Sequence, residues 1–164
     1  MAFSKGTISM KIKLINYGAA ENNLLPIRAH YNDAGLDCFA MEDFALFEFG
    51  QSIKILRDNG VETKSVDREL VPLGFGLKIP DGYMATIRPR SSMNIKGIIT
   101  QIGTIDSGYT GEIKAYFINT SKNIYHFKKG DKICQIVVEP IALVEPVLEL
   151  EDNRGTGGFG STGK

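Results

Sequence analysis

Between Lys11 and Tyr17 the apolar residues Ile12, Leu14 and Tyr17 are spaced by lysines and Asn16, the two-residue period of a half-buried strand. That alternation returns along most of the chain: around Ile27, in the turn-then-strand HYNDAGLDCFA at 30–40, from Phe44, in SIKIL and VETKSV, and in YMATIR at 83–88. EIKAYFIN and NIYHFKKG read as two strands joined by a turn at Thr120 to Asn123, and GDKICQIVVEPI as a turn followed by a buried strand. No segment keeps apolar residues three and four apart over ten positions, and 18 glycines in 164 residues punctuate the pattern, so no long helix is expected. The expected fold is all-β, a barrel or sandwich of short strands. Asn59 followed by Gly60 between two alternating runs predicts a type I′ turn, because both central residues need positive φ. A projecting hairpin at about residues 52–66 follows. Pro72 and Pro80 confine their positions to strand ends or edges.

At 18.0 kDa, with 43% hydrophobic and 23% charged residues, the chain has the balance of one soluble globular domain. No apolar run reaches the ~20 residues of a membrane span. The start, MAFSKGTISMKIKL, lacks the apolar core of a signal peptide, so a cytoplasmic protein is expected. Nineteen basic residues balance nineteen acidic ones, leaving no global field to gather nucleic acid or anionic membrane. Any phosphate binding must be local. Cys38 and Cys134 sit in apolar runs without metal spacing and read as reduced, buried thiols. His30 and His126, far apart in sequence, offer little to a zinc site or a Ser/His triad.

The stretch of greatest chemical promise is GTIDSGYTGE, Gly103 to Glu112. Gly108 and Gly111 let main chain approach a flat ligand, and Asp106, at a strand end beside the turn, suits a general base acting on water. The plainer alternative is a hairpin whose Asp caps its own turn. Arg88 and Arg90 close the YMATIR strand ahead of Ser91 and Ser92, and such forks and hydroxyls can cradle phosphate oxygens, although surface arginine pairs are common. Gln135, the odd polar residue in an apolar run, is either a structural hydrogen bonder or a carboxamide aimed at a ligand. Asp37, near Asp33 and Gly35, reads first as a strand-edge acid. The glycine-rich end, NRGTGGFGSTGK, lacks the preceding strand and following helix of a GxGxxG fingerprint or a P-loop. It is either a plain flexible terminus or a lid carrying Arg154, Phe159, Ser161 and Thr162.

Taken together and in this order, AGLDC, PRSSM, GTIDSGYTGE, GDKICQ and RGTGGFGSTG, spanning residues 34–163, resemble the five motifs of the trimeric dUTP diphosphatase (dUTPase) family. The resemblance implies a homotrimer of jelly-roll-like, β-clip subunits that hydrolyses dUTP to dUMP and pyrophosphate with Mg²⁺, limiting uracil in DNA and supplying dUMP. It also implies a single domain over 1–150 and a flexible lid over 151–164 that closes on a neighbouring subunit's site. Asp106 then resembles the base that deprotonates water for attack at the α-phosphorus. Arg90, Ser91, Ser92 and Gln135 resemble the phosphate cradle, and Tyr109 the ring packed under deoxyribose. Main chain around Gly103, Thr104, Ile105 and Lys114 would read uracil. Arg154, Gly160, Ser161 and Thr162 would grip the γ-phosphate while Phe159 covers the base. Asp37 would support the site through water and the tail arginine, and Mg²⁺ would be held by phosphates and water rather than by a protein cage.

This chain departs from the family pattern at Cys38, where leucine is usual, at Ser92, where many members have glycine, and at Thr100, where some place a uracil-binding Asn. The 52–66 hairpin is additional and offers a surface for a protein partner. Two rivals are weighed against the diphosphatase. A dCTP deaminase of related fold needs a glutamate in the strand after the turn, where this chain has Tyr116. The other is a non-catalytic partner-binding protein on the same scaffold, which the presence of Asp106 and the tail disfavours.

Overall fold

In the computed structural model, residues 10–58 and 60–147 are described. The lid residues Arg154, Phe159, Gly160, Ser161 and Thr162 lie outside them, as does the whole of 151–164. The regular structure of the described residues is nearly all strand, as the alternation predicts, with one short helix. Its central sheet has the order β10-β8-β13-β2, from Thr104–Ile105, Tyr83–Arg88, Lys132–Pro140 and Leu36–Phe39, all antiparallel. A second sheet, β6-β11-β9, joins Arg68–Pro72, Lys114–Asn119 and Ile98–Thr100. Three two-stranded ladders complete it: β1 (Lys13–Asn16) with β7 (Phe75–Lys78), β12 (Tyr125–Phe127) with β3 (Phe44–Leu46), and β4 (Ser52–Arg57) with β5 (Gly60–Ser65). No helix of the described residues is long and apolar enough to cross a membrane.

The core lies between the sheets, filled by the inward residues of each alternating strand. Phe75, Phe117, Leu73, Leu46, Ile98, Ile133 and Ile136 are fully buried within it. Phe44 stacks on Phe127 at 4.6 Å between ring centres, closing the end formed by β3 and β12. Cys38 and Cys134, distant in sequence, face each other across the β2–β13 ladder as free, buried thiols. The Cys134 thiol and burial push the Cys38 thiol well up, so it remains protonated.

Several local expectations are corrected. Ile27 makes only an isolated bridge to Asp37, not a strand. A short helix, α1 (Ser91–Ile95), follows β8 where the sequence reading placed no element, because five residues are too few to display a helical period. The hairpin is present, but its ladder closes at Arg57↔Gly60, so the connection falls at positions 58–59, one residue earlier than expected, and position 59 lies outside the described residues. At the hairpin base, buried Asp67 accepts from the Gly50 amide at 2.9 Å and from Arg68 Nε at 2.9 Å. The Arg68 hydrogen bond holds that carboxyl below the usual range. Asn119, also buried, donates to the carbonyls of Phe47 and Asn123, each at 2.7 Å, and fixes the ends of β3 and β11.

Candidate active site

Glycine placement shapes the first half of the site. Gly108, at φ +84°, lets the chain reverse after Asp106, and the turn is closed by main chain, the Tyr109 amide donating to the Asp106 carbonyl at 3.2 Å. A cap from the aspartate side chain is therefore not needed to explain the turn. Gly111 leaves room for the Tyr109 side chain to fold back over it: a Cβ there would stand 2.5 Å from the Tyr109 hydroxyl, which donates to the Glu112 carbonyl at 3.2 Å. The Glu112 carboxylate accepts the Gly74 amide at 3.0 Å, and Ile113 exchanges main-chain hydrogen bonds with Phe75 and Leu73. The result is a cavity lined by Ile87, Gly103, Thr104, Ile105, Asp106, Tyr109, Glu112, Ile113 and Lys114. It combines a main-chain edge, an aromatic ring and one exposed carboxylate.

The other half lies across the central sheet. Asp37, on β2, is buried and lies 2.9 Å from Lys132 Nζ and 3.4 Å from Arg90 Nε. Arg90 also donates from Nη1 to the Lys132 carbonyl at 2.8 Å, so the guanidinium is held on two sides. Asp37 thus has direct cationic partners within the described chain; the tail arginine expected to support it lies outside the described residues. Lys132 is the residue that reading missed. It sits inside GDKICQ, but its meeting with Asp37 depends on β13 pairing with β2 around a bulge between Lys132 and Cys134. Gln135, next along β13, faces Asp37 in β2 on one side and Arg88 in β8 on the other. Its side chain lies over Gly35, where a Cβ would be 2.7 Å from Gln135 Oε1. Ala29, Asp33, Ala34 and Val137 complete this hollow with Gly35, Asp37, Arg88, Arg90 and Gln135. Ser91 and Ser92 are exposed in the first turn of α1, where amides have no intrahelical acceptor.

One chain therefore brings Gly103, Thr104, Ile105, Asp106, Tyr109 and Lys114 together, and separately Asp37, Arg90 and Gln135. β10 and β2 form opposite edges of the four-stranded sheet, three strand spacings or about 14 Å apart. Thr100 belongs to neither hollow. It is buried on β9, and its hydroxyl has no hydrogen-bond partner among the described residues.

An aromatic-walled cavity and a cation-lined hollow on one all-β chain define a scaffold suited to a small molecule with a flat ring and an anionic tail. A profile of the dUTPase family matches residues 50–163, and the chain belongs to that family. It is 38% identical over 162 residues to the deoxyuridine 5′-triphosphate nucleotidohydrolase of Clostridium kluyveri, covering 95% of this chain and 99% of that protein. The enzyme of the same name from Finegoldia magna is 38% identical over 160 residues, with 94% and 99% coverage. Among solved structures, the Staphylococcus bacteriophage 80alpha dUTPase with dUpNHpp superposes with a TM-score of 0.69 at 24% identity, covering 95% of this chain and 100% of that one. A variant of the dUTPase from phage phi11 of S. aureus, studied for its coordination of a structural Mg(II) ion, gives 0.68 at 21% identity, with 88% and 99% coverage.

Proposed function

We propose that this protein hydrolyses dUTP to dUMP and pyrophosphate, with Asp106 as the base that activates water. The observation that carries the reading is an exposed aspartate beside a glycine turn that shares one cavity with a main-chain edge and the Tyr109 ring. Amides and carbonyls around Gly103, Thr104, Ile105 and Lys114 read the uracil edge, and Tyr109 lies under deoxyribose. As the water oxygen attacks the α-phosphorus, Asp106 accepts a water proton, and the bond from that phosphorus to the bridging α–β oxygen breaks. Arg90, fixed by Asp37 and the Lys132 carbonyl, presents its guanidinium to the phosphates without reorganising. Ser91, Ser92 and Gln135 complete that cradle.

Mg²⁺ suits this donor set. Asp37 is already paired with two cations, and Glu112 is taken by the Gly74 amide, so the ion would be held mainly by triphosphate oxygens and its own waters. When bound it neutralises phosphate charge. The separation of the Asp106 cavity from the Asp37 hollow supports a site completed between subunits, as does the exposure of Leu143, Val144 and Val147 beyond the last strand. We take the assembly as a homotrimer in which residues 151–164 of one subunit cover the site of another, with Arg154, Gly160, Ser161 and Thr162 at the γ-phosphate and Phe159 over the base. Free thiols at Cys38 and Cys134 suit a cytoplasmic enzyme.

Tyr109→Ala tests the recognition half of this proposal. A 2′-hydroxyl under which the ring lies flat must displace it or lose its hydrogen bonds, a cost of about 1–3 kcal/mol, or one to two decades in selectivity. The wild-type protein should turn over dUTP far better than UTP, dTTP or dCTP. Tyr109→Ala should lower the dUTP over UTP ratio of kcat/KM about 10- to 100-fold while leaving dUTP over dCTP nearly unchanged, because main chain reads the base. An unchanged sugar preference would remove Tyr109 from that role. Product analysis in the same assay separates a deaminase, which would convert dCTP to dUTP. Tyr116 disfavours that outcome: it lies half-buried on β11, outside the cavity of Asp106.

The β4–β5 hairpin favours a second, compatible role. It pairs with no other strand among the described residues, and Leu56 and Val61, opposite each other near its tip, are 82% and 62% exposed. A protein partner binding through this tip would leave the catalytic reading intact.

A further inference from the structure

We propose that Tyr17 is a positioning residue for sugar selection, acting through the turn that carries Tyr109. This inference rests on the proposed contact of Tyr109 with deoxyribose. Tyr17 follows β1, and its amide donates to the Gly74 carbonyl at 2.8 Å, which fixes its backbone beside β7. From there the side chain crosses over Gly76. Its hydroxyl donates to the carbonyl of Thr110 at 2.8 Å, a bond between residues 93 apart in sequence. Tyr17 remains 46% exposed, so its ring contributes little as core.

The target of this bond gives it functional meaning. Thr110 directly follows Tyr109, and its carbonyl belongs to the peptide entering Gly111, over which the Tyr109 ring is folded. The turn is otherwise exposed at Gly108, Tyr109 and Thr110. Gly76 makes the approach possible, since a Cβ there would lie 3.3 Å from the Tyr17 ring and 3.4 Å from the Thr110 carbonyl. With Tyr109 tied by its own hydroxyl to Glu112 and Thr110 tied by Tyr17, the ring is held from both ends of one short loop. A ring so held cannot yield to a 2′-hydroxyl. Without the Tyr17 bond it would still form, but it could give way.

Tyr17→Phe deletes the hydroxyl and keeps the ring above Gly76. Values of kcat/KM for dUTP, UTP and dCTP should be measured in the wild type, Tyr17→Phe, Tyr109→Ala and the double variant, with a thermal melt of each. The dUTP over UTP ratio should fall about three- to tenfold in Tyr17→Phe, the effect of one lost hydrogen bond. The dUTP over dCTP ratio and the kcat for dUTP should stay within about twofold of wild type, and in the Tyr109→Ala background Tyr17→Phe should add nothing. A selective variant, or one whose loss persists without the Tyr109 ring, would overturn the proposal. If Tyr109→Ala itself leaves sugar choice unchanged, the sugar-contact reading fails on its own account, separately from Tyr17.

Discussion

Asp106→Asn is expected to lower kcat for dUTP by about 10²–10⁴-fold, the usual worth of a positioned general base. The amide keeps the size and position of the side chain but cannot take a proton from water. Asp106 follows the two-residue β10 and is exposed, and its carbonyl, rather than its carboxylate, closes the turn at Tyr109. The substitution should therefore leave the melting temperature within a few degrees of wild type and preserve binding of a non-hydrolysable dUTP analogue in calorimetry. A variant that turns over at near wild-type rate would take Asp106 out of the mechanism. A variant that loses binding in proportion to turnover would make it a contact residue instead.

Gly76→Ala should strain the scaffold directly under the site. Gly76 lies in the buried part of β7, and a Cβ there would stand 2.7 Å from the Gly111 carbonyl oxygen. That neighbour is backbone and has little freedom to withdraw, since hydrogen bonds from Ile113 to Phe75 and from Leu73 to Ile113, at 2.9 and 3.0 Å, clamp the nearby Ile113 to the start of β7 and the segment before it. Overpacking of this kind costs about 1–3 kcal/mol, which for a chain of this size lowers Tm by roughly 3–10 °C. Because relief must come from moving the turn at 109–111, kcat/KM for dUTP should fall at least about tenfold beyond any loss of folded protein. Gly103→Ala is the control for stability: a Cβ there meets nothing within 4 Å, and its Tm should hardly move. Equal Tm for both variants would show that the close approach of β7 to the turn is not a constraint.

A strand with one buried face carries a period of two that was legible, whereas β4 and β5, exposed along nearly their whole length, were legible from the signal of Asn59 followed by Gly60 between two alternating runs. β11 shows the period in Ala115, Phe117 and Asn119, buried in alternation with Lys114, Tyr116 and Ile118. β10 and the Ile27 bridge were not legible as such, since one or two paired residues carry no period. The helix α1 escaped for a similar reason, holding a single buried residue, Met93. Motif resemblance singled out Asp106, Tyr109, Arg90 and Gln135, where the residues alone left Asp106, Arg90 and Gln135 with plainer alternatives. What the sequence could not display were the contacts made by topology: Asp37 with Lys132, Tyr17 with Thr110, and Gly76 with Gly111. Each joins residues from distant segments, and none leaves a local signature.

The most direct test of the central claim is hydrolysis of dUTP by the full chain with Mg²⁺ in ¹⁸O-labelled water, with both products resolved by mass spectrometry. Attack at the α-phosphorus predicts one labelled oxygen in dUMP, unlabelled pyrophosphate, and loss of this reaction in Asp106→Asn. Label in pyrophosphate, release of dUDP and orthophosphate, or absence of turnover by the wild-type protein would contradict the account.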